Sequence, residues 1–159
     1  MNEVHVIINE KNYTFPANIT ILEACNREGI SIPTLCYLKG ICEEGSCGLC
    51  VVKVEKSRAF DRACNTILYE GMKITTDSEA IFKARKMNLE LTLAHHPLDC
   101  MTCDKDGDCT LQDLAYQFGI KKSRFLTAEE QVSVLKANAW KDNPFILFDE
   151  QKCVLCRRC

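Results

Sequence analysis

The stretch HHPLDCMTCDKDGDC, His95 to Cys109, sets two histidines just ahead of three cysteines spaced x2 and x5. Zinc is usually held by paired Cys-x2-Cys arms drawn from separate parts of a chain. One imidazole and three thiolates on a single loop suit an iron–sulfur cube better. A cluster iron accepts imidazole in place of thiolate, as Rieske centres show, and trading an anionic ligand for a neutral one raises the reduction potential. His96, Cys100, Cys103 and Cys109 give H-x3-C-x2-C-x5-C, four ligands for one [4Fe–4S] cluster, with His95 as the competing imidazole.

Two further groups flank this loop. Cys153, Cys156 and Cys159 form C-x2-C-x2-C, the first three positions of the bacterial ferredoxin run C-x2-C-x2-C-x3-C-P, a spacing that wraps three corners of a [4Fe–4S] cube. The fourth cysteine of the run does not follow. The expectation is therefore an incomplete third site and a chain that is the N-terminal piece of a longer polypeptide. Near the N-terminus, Cys42, Cys47 and Cys50 in CEEGSCGLC match the plant-type [2Fe–2S] spacing C-x4-C-x2-C, with Cys64 as a distal fourth ligand. The rival set is Cys36, Cys47, Cys50 and Cys64, which shares three of those ligands. Gly45 and Gly48 would let backbone N–H groups approach the bridging sulfides.

The composition agrees with clusters rather than disulfides. Twelve cysteines in 159 residues is a density otherwise typical of disulfide-stapled secreted domains. Yet MNEVHVIINEKNYTF has no basic stretch followed by an apolar one, and no apolar run approaches a membrane span. A reducing, cytoplasmic setting is expected, in which clustered cysteines bind metal. With a net charge of -2 and 26% charged residues there is no global field to draw nucleic acid or an anionic membrane, while 47% hydrophobic residues suffice for a core.

Regular elements must hold these loops. VHVIINE, NEKN and YTFP read as a hairpin. TILEACNREGI reads as a helix with Thr20 as N-cap and Gly29 at its C-terminal end. CVVKVE and GMKITTD read as returning strands, so that a helix laid over them forms an α+β layer. Ser78 opens the strongest helix, SEAIFKARKMNLELTLAHH, with Ile81, Phe82, Leu89 and Leu93 on an apolar stripe and Arg85, Asn88 and Thr92 assigned to other faces. TLQDLAYQFG is a second helix, capped by Thr110 and ended by Gly119. Lys121 to Lys141 reads as a linker or weak helix, and NPFILFDE as an extended lead into KCVLCRRC. Cys25, on the inner side of its helix, is expected to be core.

Taken in order, IPTLC…GSCGLC…AC, HHPLDCMTCDKDGDCTLQDLAYQFG and KCVLCRRC resemble the N-terminal iron–sulfur region shared by the large iron–sulfur subunit of complex I, [FeFe]-hydrogenases and NAD-linked molybdenum or tungsten formate dehydrogenases. The resemblance covers essentially the whole chain. It implies Cys36 rather than Cys42 as the first [2Fe–2S] ligand, although the extra cysteine in CEEGSC departs from the family. It also implies His96 rather than His95 as the cluster histidine, since the ligand precedes P-x-D-C. Three regions are implied: a β-grasp [2Fe–2S] ferredoxin-like domain over 1–78, a small helical His/Cys3 [4Fe–4S] domain with linker over 79–140, and the start of a bacterial-type 4Fe–4S ferredoxin domain over 141–159.

The function expected is electron relay, with no catalytic residue of its own. The chain offers no Ser/His/Asp arrangement, no phosphate-cradling glycine loop and no paired carboxylates in an acid/base setting. HPLDCMTC, LQDLAYQFG and NPF look similar to formate dehydrogenase catalytic subunits, with an [FeFe]-hydrogenase and the complex I subunit as alternatives. The partners implied are NAD(H)/flavin-binding subunits or a ferredoxin, in a hetero-oligomer. Two readings from other classes are a stand-alone ferredoxin-like carrier and a zinc-binding interaction module.

Overall fold

The computed structural model describes residues 3–125, 145, 149 and 151–159. The chain divides into two compact units, one comprising residues 1–85 with 157–159 and the other residues 86–156.

The first unit is built on the expected hairpin. Strands β1 (Glu3–Ile8) and β2 (Lys11–Pro16) pair antiparallel with Ile8 opposite Lys11. Only two residues separate them, and both take left-handed backbone, Asn9 at φ 47° and Glu10 at φ 69°. That geometry matches the right-handed twist of the flanking strands. Val4, Val6 and Ile8 alternate inward, as a half-buried strand requires.

Helix α1 (Ile21–Arg27) starts where the sequence indicates. The Thr20 hydroxyl accepts from the Glu23 N–H, and the Glu23 carboxylate accepts from the Thr20 N–H, a reciprocal capping box. Gly29, at φ 69°, follows its end. Ile21, Leu22, Ala24 and Cys25 join the inward residues of the strands in one core. Fully burying a side chain such as Ile8, Ile21 or Leu22 stabilises the fold by about 1.5–3 kcal/mol each. Cys25 lies in this core as expected, and burial pushes its thiol up to about 11.

Three more strands complete the sheet: β3 (Val51–Val54), β4 (Asp61–Arg62) and β5 (Met72–Thr75), in the order β2-β1-β5-β3-β4. β5 runs parallel to β1, with Met72 opposite Val6, while β3 is antiparallel to both β5 and β4. A mixed sheet with one helix in its core is the β-grasp layout expected. Sequence reasoning missed β4, whose two residues carry no periodicity.

Helix α2 (Glu79–Ala94) begins beside Ser78, whose hydroxyl accepts from the Ile81 N–H. Ile81, Leu89 and Leu93 are buried as expected, but two residues depart from the assigned stripe. Phe82 is exposed although 3.6 residues per turn set it between Leu89 and Leu93, and Arg85 is buried between Ile81 and Leu89, where it donates to the Val51 and Thr76 carbonyls.

In the second unit, α3 (Thr110–Gln117) carries Leu111 and Leu114 inward. Its N-cap is Cys109, and Thr110 is its first helical residue, which corrects the expected cap by one position. The segment after α3 is tied down at its start. The buried Ser123 hydroxyl donates to the Glu90 carbonyl at 2.9 Å, and Arg124 makes a forked pair with the buried Glu90 carboxylate, its shortest contact 2.6 Å. The rest of the expected 121–141 linker, and nearly all of NPFILFDE, lie outside the described residues.

Candidate iron–sulfur sites

In the first unit the loop after α1 and the turn after β4 bring four cysteines together as two pairs. Cys36 Sγ lies 3.3 Å from Cys47 Sγ, and Cys50 Sγ lies 3.3 Å from Cys64 Sγ. The second pair is set by the sheet, since Cys50 leads directly into β3 and the Ala63 N–H donates to the Cys50 carbonyl at 2.9 Å. The short strand β4 that sequence reasoning missed is what delivers Cys64. Cys42 is buried at the end of a tight turn in which Leu38 and Cys42 exchange backbone hydrogen bonds of 2.8 Å.

Backbone and side-chain donors converge on these sulfurs. Burial opposes a thiolate at Cys36, but the Ser46 hydroxyl and the Cys47 N–H donate to it and hold its pKa below the ordinary thiol value. Burial raises its neighbour Cys47. The Cys64 thiol, followed by opposing burial and then by N–H groups including that of Ala63, brings Cys50 down to about 6, while Cys64, which shares its proton with Cys50 and is buried, is raised. In each pair one sulfur is eased toward the thiolate and its neighbour is held toward the thiol. A cation binding between them displaces the remaining proton, so loading releases protons.

Gly45 shows how tightly this loop is drawn. It adopts φ +69°, and a Cβ there would lie 2.9 Å from Arg62 Cδ and 3.2 Å from Cys64 Sγ. Only glycine lets the backbone pass so close.

The second unit presents a cavity of about 430 Å3 whose wall includes His96, Cys100 and Cys109. Leu93 from α2, Leu98 from the loop, and Leu111, Ala115 and Ile120 from α3 and its exit make the remainder largely apolar. His96 Nδ1 lies 2.8 Å from the Pro97 carbonyl, which can only accept. Nδ1 is therefore the protonated nitrogen, and the Nε2 lone pair is left for a metal. His95 is exposed. Cys103, at the end of the 3-10 turn Cys100–Thr102, is half-buried, and the Lys152 ammonium lies 3.8 Å from its sulfur and 3.7 Å from the Asp99 carboxylate.

Of the third group, Cys153 and Cys156 are half-buried and Cys159 is exposed. Arg158, within that motif, donates to the carbonyls of Leu35, Cys36 and Tyr37, and Arg157 pairs with Glu44 at 2.7 Å. Sequence reasoning assigned these arginines no role; nothing in their spacing signals that they grip the loop carrying Cys36. Among the described residues no three His, Cys, Asp or Glu side chains gather around one point suited to a single metal ion.

The donor chemistry fits clusters. Two thiol pairs match a centre in which each of two irons takes two thiolates, and an apolar hollow edged by one imidazole and cysteines matches a larger cluster with a histidine ligand. Comparison with known proteins agrees. Residues 1–79 match the family described as a 2Fe-2S iron-sulfur cluster binding domain, and residues 85–124 match the NADH-ubiquinone oxidoreductase-G iron-sulfur binding region. The chain is an iron–sulfur protein carrying a [2Fe–2S] and a [4Fe–4S] binding domain in series. More particularly, it carries the N-terminal domain pair shared by the complex I 75 kDa subunit, NAD-reducing hydrogenases and related NADH-quinone oxidoreductases.

Individual relatives span the same group. The chain is 38% identical over 156 residues to the alpha subunit of an NADPH-Fe(3+) oxidoreductase of Geobacter sulfurreducens (strain DL-1 / KN400), covering 98% of this chain and 18% of that protein. It is 38% identical over 165 residues to the NADP-reducing hydrogenase protein HndD of Solidesulfovibrio fructosivorans, covering 100% of this chain and 27% of that one. Among solved structures, an NAD+-reducing [NiFe]-hydrogenase in the H2-reduced state superposes with a TM-score of 0.81 at 29% identity, over 96% of this chain and 62% of the other. The chain thus spans about a fifth to a quarter of the length of these curated relatives. Among the described residues no helix is long and apolar enough to cross a membrane.

Proposed function

We propose that this chain is the electron-transfer segment of a multi-cluster NAD(P)-linked oxidoreductase. Cys36 and Cys47 hold one iron of a [2Fe–2S] centre and Cys50 and Cys64 the other. His96, through Nε2, joins Cys100, Cys103 and Cys109 around a [4Fe–4S] centre. Cys153, Cys156 and Cys159 contribute three ligands to a further [4Fe–4S] centre, within a region 141–159 that starts a ferredoxin-like domain after regions 1–78 and 79–140. When bound, such clusters accept and release single electrons with little rearrangement of their ligands. The chain's own residues fix the ligand geometry, donate N–H and O–H groups to the sulfurs and keep water out with the leucines around His96. The observation that carries this reading is the pairing of four thiols at 3.3 Å and 3.3 Å. A zinc module would instead gather four ligands about one ion.

Three parent enzymes fit, each on its own observation. HPLDCMTC, LQDLAYQFG and NPF favour a formate dehydrogenase catalytic subunit, the HndD match favours a hydrogenase, and the NADH-ubiquinone oxidoreductase-G match over residues 85–124 favours a complex I iron–sulfur subunit. Each would work in a cytoplasmic hetero-oligomer, exchanging electrons with an NAD(H)/flavin subunit or a ferredoxin. The test is low-temperature EPR of the anaerobically purified, dithionite-reduced chain, with spins counted against iron. The expected result is a slowly relaxing [2Fe–2S] signal that survives warming beside a fast-relaxing [4Fe–4S] signal. A colourless, zinc-containing, EPR-silent protein would overturn the proposal.

A further inference from the structure

Helix α2 places a basic residue in the middle of its buried face. Ile81 and Leu89 are fully buried, and Arg85 between them is 7% exposed. Arg85 Nη2 donates to the Val51 carbonyl at 2.8 Å and to the Thr76 carbonyl at 3.0 Å, while the buried Nε has no partner. Among the described residues no carboxylate forms an ion pair with it. Burial lowers its pKa, and the charges of Asp77, Cys50 and Cys25 act in the opposite sense.

A buried cation without a counter-charge is costly, and tying down two carbonyls needs only a neutral donor. Asp77 is one offsetting charge, but it is exposed and forms no ion pair with Arg85, which leaves room for a second anionic group at Cys25 or Cys50. Cys25 is a poor candidate, since burial keeps it a thiol to about 11. Cys50 is a better one. It immediately precedes Val51, whose carbonyl Arg85 holds, and it belongs to the four-thiol group, which becomes wholly anionic when it binds iron.

We propose that Arg85 is the internal counter-charge of the [2Fe–2S] site, a positioning residue that anchors the Cys50 end of the ligand loop through the Val51 carbonyl and favours the reduced state. This rests on the ligand set proposed above. One electron entering the site adds one negative charge. Arg85 stabilises that charge without any bond being made or broken and without a proton moving. The electron comes from whichever redox partner feeds the chain, or from dithionite in the test.

The experiment is a mediator-poised titration of the [2Fe–2S] EPR signal in the intact chain, with clusters assembled anaerobically, for wild type, Arg85→Gln, Arg85→Met and Arg85→Lys. Iron content and the melting of the metal-free proteins are recorded alongside. The Gln and Met variants are expected to need at least a tenfold higher reduced-to-oxidised mediator ratio, a shift of about 59 mV to more negative potential for one electron. The Lys variant, which keeps the charge, is expected to stay within a few-fold of wild type. Loaded Gln and Met variants that melt lower but keep the wild-type potential would reduce Arg85 to a structural tie and overturn the proposal. If those two do not take up iron, the Lys variant decides, and a tenfold negative shift there overturns it. A wild-type chain with no [2Fe–2S] signal overturns the proposed function itself, which is a distinguishable result.

Discussion

At the scale of single residues, the choice between Cys36 and Cys42 turns on where the backbone puts each thiol. Spacing permits both, because x10 and x4 ahead of Cys47 are each long enough to close a loop. The structure sets Cys36 Sγ at 3.3 Å from Cys47, with the Cys47 N–H donating to it at 3.5 Å, while Cys42 closes a turn with Leu38. Cys36→Ser is therefore expected to abolish or severely reduce the [2Fe–2S] signal, and Cys42→Ser to keep it at near wild-type intensity, as read by EPR and visible circular dichroism at equal protein concentration. The reverse pattern would make the plant-type spacing the working one. The histidine pair gives the parallel test. His96→Ala is expected to remove the fast-relaxing [4Fe–4S] signal and His95→Ala to leave it, since His96 edges the cavity with its Nδ1 proton engaged by Pro97 and His95 is exposed.

At the scale of elements, what was legible in the sequence was whatever repeats or caps. The β1–β2 hairpin shows in alternating apolar residues around Asn9 and Glu10, and α1 shows in Thr20 before it and Gly29 after it, to which the structure adds Glu23 as the other half of a capping box. Strand β4 was not legible, because its two residues exist as a strand only through pairing with Val51 and Val52. Arg85 was misplaced for a related reason. Its charge argues for a solvent face, and the two carbonyls that hold it inside, Val51 and Thr76, come from outside the helix and leave no local trace. The capping box makes a quantitative prediction: Thr20→Ala is expected to destabilise the metal-free chain by about 1 kcal/mol, measurable as a lower urea midpoint with an unchanged slope. Since α1 lies in the core but carries no proposed ligand, the [2Fe–2S] potential should stay where it is in the folded variant.

At the scale of the whole molecule, the two compact units each contain their own site: the paired thiols fall within residues 1–85 and the His96 cavity within residues 86–156. Every ligand proposed for the [2Fe–2S] centre comes from the first unit, and all four proposed for the His96 centre come from the second. Loss of one cluster should accordingly leave the other in place. Cys50→Ser is expected to lower iron by about two per chain and Cys109→Ser by about four, the nuclearities of the two clusters. In each case the surviving EPR signal should keep its g-values and relaxation. A Cys50→Ser chain that also lost the fast-relaxing signal would mean that the units load cooperatively, and the domain series would then be one metal-dependent fold instead of two. The order of the motifs along the sequence makes the independent outcome the expected one. His96, Cys100, Cys103 and Cys109 lie within one short stretch, so their loop closes at small entropic cost without help from the β-grasp sheet.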